Sequence, residues 1–368
     1  MIAIRKARRV GEHVPATAKA IVADVVLKTD GAGWILDDFC RHIQRGLRGQ
    51  LRVEVVTAPP VGLRRRVVHF TGSECFYDPQ WTGRYHASNA MIGLWWHGTD
   101  TSPEPSIRAA AQRIAAASER LARVHVTCTV SADIVRRLGV DDRKVALVPL
   151  GVDPRLFGPP QTSSDRDAAR RELGIPAHAI VVGSFQKDGD GWDEGNAPKR
   201  IKGPDVFVQV MTRLAERHHV VALLPGPARG YVKRALAAAG VEFSSRGFVP
   251  AAEMRAHYHA CDLYLMTGRE EGGPAAVLEA LACGTPVVAH RAGMAPDVIA
   301  DGINGYLADV DDVDELVAKA DRLIVEPERR AIFANAGLET ARRYDWSNVA
   351  PLYRELYETV RAGMTTNP

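Results

Sequence analysis

The chain has 368 residues, a formal net charge of +3, and 46% hydrophobic and 25% charged residues, an ordinary globular composition whose length suits about two domains of ~150 residues each. So small a positive balance argues against a general nucleic-acid binder. No run of eighteen or more apolar residues occurs, so no membrane-crossing helix is expected. The basic start, residues 1–19, lacks the continuous apolar stretch of a secretory signal and is expected to be an arm outside the fold. Cysteines stand at 40, 75, 128, 261 and 283; none forms a C-x-x-C pair and the spacings match no zinc site. Cys128, Cys261 and Cys283 lie in apolar segments and read as small core residues. A cytoplasmic protein is expected, one that can also rest peripherally on the inner face of a membrane.

Short apolar runs alternate with amphipathic stretches along the chain. In the first half, strands are expected at Ala20–Leu27, Leu51–Thr57, Val67–Phe70, Ile92–His97, Val124–Thr129 and Val145–Pro149. Helices are expected at Trp34–Leu47 and Ser106–Ala122, an order that predicts a parallel α/β sheet. The stretch PLGVDPRLFGPPQTSSD has the Pro, Gly and Ser content of a linker. Beyond it a second series runs helix Arg166–Leu173, strand Ile180–Ser184, helix Pro204–Arg217, strand Val220–Leu224, helix Tyr231–Ala239 and strand Glu242–Gly247. Helix Ala252–Ala260, strand Leu263–Thr267, helix Pro274–Ala282 and strand Pro286–His290 complete it. Val206, Phe207, Val210, Met211 and Leu214 mark one helical face, and Pro204 suits a first turn. Trp346–Ala362 is amphipathic at helical spacing. The expected organisation is an arm at 1–19, an α/β domain at 20–157, a second at 158–345, and a closing helix at 346–362.

Residues 269–307, REEGGPAAVLEALACGTPVVAHRAGMAPDVIADGINGYL, carry the most chemistry. Glu271 precedes Gly272-Gly273, Pro274 opens a helix, and Glu279 lies inside it. A helix N-terminus offers unpaired N–H groups and a positive dipole end, and bare glycines let a ligand approach the backbone, so a diphosphate fits here. Eight residues of helix separate the two carboxylates by roughly 12 Å along the axis, comparable to the reach from a sugar across a diphosphate to a ribose. Carboxylates are natural acceptors for sugar hydroxyls. Taken singly, each Glu is equally well a solvated surface charge or a cap.

The Glu271/Glu279 spacing, with EALACGTPVVA and DGINGYL after it, resembles the retaining GT-B glycosyltransferases of glycosyltransferase family 4. Val148–Phe157 is similar to that family's interdomain "PNGVD…F" segment. Ile201-Lys202-Gly203 is similar to its phosphate-binding "KG", and Ser245-Arg246-Gly247-Phe248-Val249 to its nucleobase loop. Tyr344-Asp345-Trp346-Ser347 resembles the motif before the helix that crosses back onto the first domain. The resemblance implies a GT-B fold, two Rossmann-like parallel-sheet domains facing across a cleft. It also implies transfer from a nucleotide-sugar donor with retention and without metal or other cofactor. It assigns Glu279 to the donor ribose, Glu271 to the transferred sugar and Lys202 to the diphosphate, with Gly247, Phe248 and Val249 at the base and Gly272, Gly273 and Pro274 at the phosphates. His97 is placed near the reaction centre, and Gly31 and Gly33, in DGAGW, beneath the diphosphate. His69, at another strand end, is a weaker acceptor-side candidate.

Two departures stand out. Where the family carries Arg after the strand-ending glycine, this chain has Gly183-Ser184-Phe185 and then an inserted loop, QKDGDGWDEGNAPKR; Lys187 is the favoured substitute for the second phosphate contact, ahead of Lys199 and Arg200. Gly293-Met294-Ala295-Pro296-Asp297 replaces the usual Gly-Gly and Glu, which puts the donor sugar's contacts in question. For the acceptor, a glycan, glycolipid or other cell-surface polysaccharide or lipopolysaccharide precursor is the first expectation and a small molecule the second. The Arg5–Arg9 and Arg64–Arg66 clusters offer a peripheral contact to anionic lipid, and Trp81, Trp95 and Trp96 offer stacking surfaces. The competing functions are a GT-B sugar epimerase or phosphorylase and a non-catalytic nucleotide-sugar binder. A dehydrogenase fits poorly, because no G-x-G-x-x-G follows the first strand.

Overall fold

The computed structural model describes residues 16–33, 35–60, 62–78, 80–191 and 193–365. The Arg5–Arg9 cluster, most of the expected arm 1–19, and Trp34 lie outside the described residues. Two six-stranded sheets organise the chain. The first comprises β1 (Val25–Lys28), β2 (Val53–Val56), β3 (Val67–Phe70), β4 (Ala90–Leu94), β5 (Arg123–Val126) and β6 (Val145–Leu147), in the order β2-β1-β3-β4-β5-β6. The second comprises β7 (Ile180–Gly183), β8 (Val220–Pro225), β9 (Glu242–Arg246), β10 (Leu263–Met266), β11 (Val287–His290) and β12 (Tyr306–Ala308), in the order β12-β11-β10-β7-β8-β9. All pairings between these strands are parallel. Helices cover both faces, so central strands are buried throughout and read as unbroken Val, Ile and Leu runs rather than alternations.

In each sheet the strand order reverses once, between β1 and β3 in the first and between β7 and β10 in the second. Open α/β sheets hold ligands at the carboxyl ends of the strands flanking such a reversal. The carboxyl ends of the two sheets face one another here: the loops after β4 and β5 touch those after β10 and β11. Ser102 Oγ donates to Glu270 Oε2 at 2.7 Å, and Thr129 N–H to Asp297 Oδ2 at 2.8 Å. This is the two-lobed GT-B arrangement.

The lobes are joined twice, and the two joints pair with each other. Val152, in the linker, donates to Tyr344 O at 2.8 Å, and Trp346 N–H donates to Val152 O at 3.2 Å. The helix Trp346–Thr365 then crosses to the first lobe and packs on the helix Ile35–Gly46. Val349, Ala350, Tyr353 and Tyr357 enter the same apolar cluster as Phe39 and Ile43. Beneath this helix a buried polar chain is fully satisfied. His125 Nε2 lies 2.8 Å from the Val148 carbonyl, so that nitrogen carries the proton. His125 Nδ1 must then accept from His69 Nε2 at 3.3 Å, and His69 Nδ1 from the Tyr357 hydroxyl at 2.9 Å. Burial pulls both imidazoles well below their usual range, His125 to about 4, which keeps the chain neutral. His69 is therefore a docking residue for the crossing helix and does not line an acceptor site.

Several expected elements shift. Ala20–Val22 belongs to a helix, Ala16–Val22, and the strand begins only at Val25; Ala, Lys and Ile at these positions satisfy helical propensity. Asp24 separates the two elements and accepts from Arg52 N at 3.0 Å. Ser106–Ala122 divides into Pro105–Ala111 and Ile114–Ser118. Strand β4 stops at Leu94, so His97 stands in the following loop rather than at a strand end. The helices Val313–Val325 and Pro327–Arg343, and strand β12, add to the second lobe beyond the expected elements.

Candidate functional site

The site is assembled from the loops after β4, β7 and β10 and from the helix Ala275–Ala282. At its centre Lys202 Nζ lies 2.6 Å from Glu271 Oε2. Lys202 ends a short 3-10 turn, Arg200–Lys202, whose following Gly203 takes φ 60°, a left-handed conformation glycine adopts without strain. That turn feeds the helix Pro204–Ala215, where Pro204 holds the first position. An ammonium has three donors. One serves Glu271, so the others remain available to a phosphate oxygen. Glu271 itself is 7% exposed and keeps its second oxygen for a hydroxyl donor.

Glu271 is not on the helix. The helix begins at Ala275, with Pro274 as its N-cap, and Glu271 turns back toward Lys202. The axial separation expected for two helical carboxylates therefore does not apply. Gly272 and Gly273 also serve a purpose beyond the one expected. A side chain on Gly272 would collide with the Trp96 carbonyl of the first lobe, and one on Gly273 with Leu150 and, at 3.3 Å, Thr127. Their bare faces admit the opposite lobe rather than a ligand alone. Gly272→Ala should therefore push the lobes apart, with a stability loss of about 1–3 kcal/mol from overpacking and a larger fall in activity. Unchanged melting temperature and turnover would show that the contact is dispensable.

Glu279 is half-buried, and the Tyr258 hydroxyl donates to its Oε2 at 2.6 Å. Burial raises the carboxyl to about 7 against the opposing effect of that hydrogen bond, and the charge of Asp38 on the first lobe adds to the rise. Tyr258, twenty-one residues earlier on another helix, carried no sequence signal; only packing brings it here.

His97 follows Trp96 in the loop whose carbonyl meets Gly272. Its Nδ1 is buried with no hydrogen-bond partner among the described residues. Burial first, then the charges of Lys202 and Lys199, lower its pKa to about 3. The imidazole is neutral at any physiological pH. It can hydrogen-bond a sugar hydroxyl but cannot add positive charge to a phosphate site. The neighbouring Glu270 accepts from Ser102 and, at 3.4 Å, from Thr99; its place beside Glu271 was legible, its bridging role was not.

The expected glycine loop is bound into the first lobe. Gly31 and Gly33 take φ 71° and 79°, and the Gly33 N–H donates to Asp37, which also accepts from Thr29 Oγ1 at 2.7 Å. That N–H is therefore already engaged. Gly247, Phe248 and Val249 follow β9, and Phe248 is 68% exposed, presenting a ring at the rim of the second lobe. Asp297 reaches across to the first turn of the helix Thr129–Arg137, bonding Thr129 through its N–H and its hydroxyl. In this structure it clasps the lobes.

Among the tryptophans, Trp95 is a core residue edge-on to Phe76 at 5.3 Å, and Trp96 Nε1 donates to Thr71 O at 2.7 Å. Trp81 is faced by Lys28 and Arg84, each 5.0 Å from a ring centroid. Of the arginine cluster, Arg66 is committed to the Ile21 carbonyl, where it ends the helix Ala16–Val22. Among the described residues no group of three His, Cys, Asp or Glu is placed to hold a metal ion, and no helix is long and apolar enough to cross a membrane.

Two six-stranded parallel sheets with flanking helices, their carboxyl ends facing, are the architecture of GT-B glycosyltransferase structures. The solved structure of Anabaena Alr3699/HepE in complex with UDP and glucose aligns with a TM-score of 0.72 over 91% of this chain and 99% of that one, at 19% identity. Sucrose-phosphate synthase from Thermosynechococcus elongatus aligns with a TM-score of 0.68 over 81% of this chain and 74% of that one, also at 19% identity. Residues 195–340 match the family described as glycosyl transferases group 1, and the second lobe of this chain is a group 1 glycosyltransferase domain. In sequence, the chain is 32% identical over 267 residues to a D-inositol 3-phosphate glycosyltransferase of Xylanimonas cellulosilytica, covering 69% of this chain and 60% of that protein. It is 30% identical over 266 residues to one from Stackebrandtia nassauensis, covering 68% and 56%. The chain thus spans less than two thirds of the length of these relatives.

Proposed function

We propose that this chain transfers a sugar from a nucleotide-sugar donor to an acceptor hydroxyl, with retention at the anomeric carbon and without a metal. The observation that carries the reading is the Lys202–Glu271 pair at the second lobe's switch point, with neutral His97 brought against it from the first lobe. In this reading Lys202 stabilises charge building on the departing phosphate. Glu271 and His97 hold hydroxyls of the transferred sugar, and Glu279 holds the ribose. No side chain is assigned as a covalent nucleophile; the leaving phosphate assists deprotonation of the acceptor on the same face. Contact between the lobes excludes water from the reacting centre. An epimerase or a non-catalytic binder shares the fold, but the cation at the leaving group favours transfer.

For the acceptor, the relatives named for D-inositol 3-phosphate support a small hydroxylated molecule. A cell-surface glycan or glycolipid precursor is the other class to test, with the exposed Arg64 and Arg65 as a contact for a membrane surface. Thermal-shift screening with UDP, GDP, ADP and their common sugars, first without metal and then with it, tests the donor reading. A saturating ligand at 100 times its Kd adds about 2.7 kcal/mol of stability, so one nucleotide should raise the melting temperature by several degrees without metal. No shift with any of them would overturn the donor site, and a shift only with metal would overturn metal independence.

A further inference from the structure

The inserted segment after β7 is a built element rather than a loose loop. It folds back on itself through an antiparallel bridge between Gly189 and Pro198. At its base, Asp188 is fully buried and lies 3.1 Å from Arg229 Nη2, itself buried. Arg229 also donates to the Ser184 and Pro225 carbonyls, at the ends of β7 and β8. One guanidinium thus fastens the insert to the carboxyl ends of two neighbouring strands. The tip is fastened separately. Tyr231 N–H donates to Gly195 O at 2.9 Å, so the start of the helix Gly230–Ala238 is capped by the insert. Gly195 abuts Ala228 so closely that a side chain there would strike its backbone.

The insert delivers Lys199 to the cleft. Lys199 N–H donates to Asp188 O at 2.8 Å, and Lys199 O accepts from Lys202 N–H at 2.8 Å. The Gln186 side chain closes the other side by donating to Lys202 O at 2.7 Å. Lys199 is half-buried and forms no ion pair among the described residues. Its electrostatic neighbours are Lys202, Lys187, Glu271 and Glu104 of the first lobe. Burial and the two other lysines destabilise its charge, and the charges of Lys202 and Lys199 likewise disfavour protonation of His97. Gathering cations in a half-buried place is unfavourable unless an anion offsets it.

We propose that Lys199 is a further diphosphate-binding residue of the donor site, and that Asp188 and Arg229 are the positioning residues that hold the insert so that Lys199 stands beside Lys202. The inference rests on the donor reading above and deepens it. The insert presents a lysine held at one end by a buried ion pair and at the other by Lys202 itself. Asp188 and Arg229 act through Lys199 and touch no substrate.

The test is calorimetric titration of the whole chain with a nucleoside diphosphate and its monophosphate, UDP and UMP first, then the guanosine and adenosine pairs. Lys199→Ala should lower diphosphate affinity about tenfold or more, as expected for losing one charge-assisted contact, while monophosphate affinity changes little. Arg229→Met and Asp188→Asn should lose the same preference for diphosphate over monophosphate, and Arg229→Lys should restore part of it. If Lys199→Ala binds both ligands as wild type does, or if the Arg229 and Asp188 variants lose both equally, the insert is only scaffold and the inference falls. If the wild-type chain binds none of the three diphosphates, the donor reading itself has failed and takes this inference with it.

Discussion

Lys202→Ala should lower kcat about 10²- to 10³-fold, the usual cost of removing one preorganised donor to developing charge, with a smaller loss of donor affinity. The asymmetry follows from what the ammonium touches. In the resting protein Lys202 is paired with Glu271 at 2.6 Å, so part of its charge is already balanced when the donor arrives. Its full effect is felt only as the bond to phosphate breaks and the leaving oxygen gains charge. The variant also leaves Glu271, which is 7% exposed, without its counter-charge, and a buried carboxylate deprived of its partner destabilises the fold. The double variant Lys202→Ala/Glu271→Gln separates the two consequences. It should recover melting temperature and leave turnover low. Recovery of turnover along with stability would mean that the pair only holds the loops together.

Glu279→Ala should weaken donor binding by about tenfold to a hundredfold, the range for losing hydrogen bonds to a charged acceptor. Glu279→Gln should remove a pH dependence that the wild type shows. The carboxyl is raised from 4.5 to about 7, chiefly by burial. Between those values the folded protein holds a proton that the unfolded chain has released. This group's contribution to stability therefore falls as pH rises from 4.5 to 7, while its capacity to accept two hydroxyl hydrogen bonds grows. Donor affinity should accordingly increase as pH rises through about 7. Titrating UDP, GDP or ADP between pH 6 and 8 against both proteins cancels the ligand's own ionisation. Parallel curves for wild type and Glu279→Gln would remove Glu279 from the ribose.

Much of the architecture is legible in the chain because burial on both faces writes parallel strands as continuous apolar runs. Val67–Phe70 and Val220–Pro225 appear where those runs begin, and Pro204 opens its helix as its locked φ requires. Boundaries were less legible where two elements share one composition. Ala20–Val22 is apolar enough for a strand, yet Asp24 divides it from β1 and leaves it helical. Lys202, Glu271, Glu279 and His97 were found because their spacing within loops and helices resembles a known family, and the fold brings Lys202, Glu271 and His97 to one place.

What the sequence determined by itself is therefore most of the strands and helices and the two-lobed class, since these depend on local pattern, and it nominated Lys202, Glu271 and Glu279 by their spacing along the chain. What only the tertiary structure decided is how those groups are paired. Glu271 faces Lys202 and not a helix axis, Tyr258 fixes Glu279, Gly272 admits the Trp96 carbonyl, Asp297 clasps Thr129, and Arg229 anchors Asp188. Each of these contacts joins residues far apart in the chain. Each is set by desolvation and by the geometry of facing sheets, and neither is written in any single stretch of sequence.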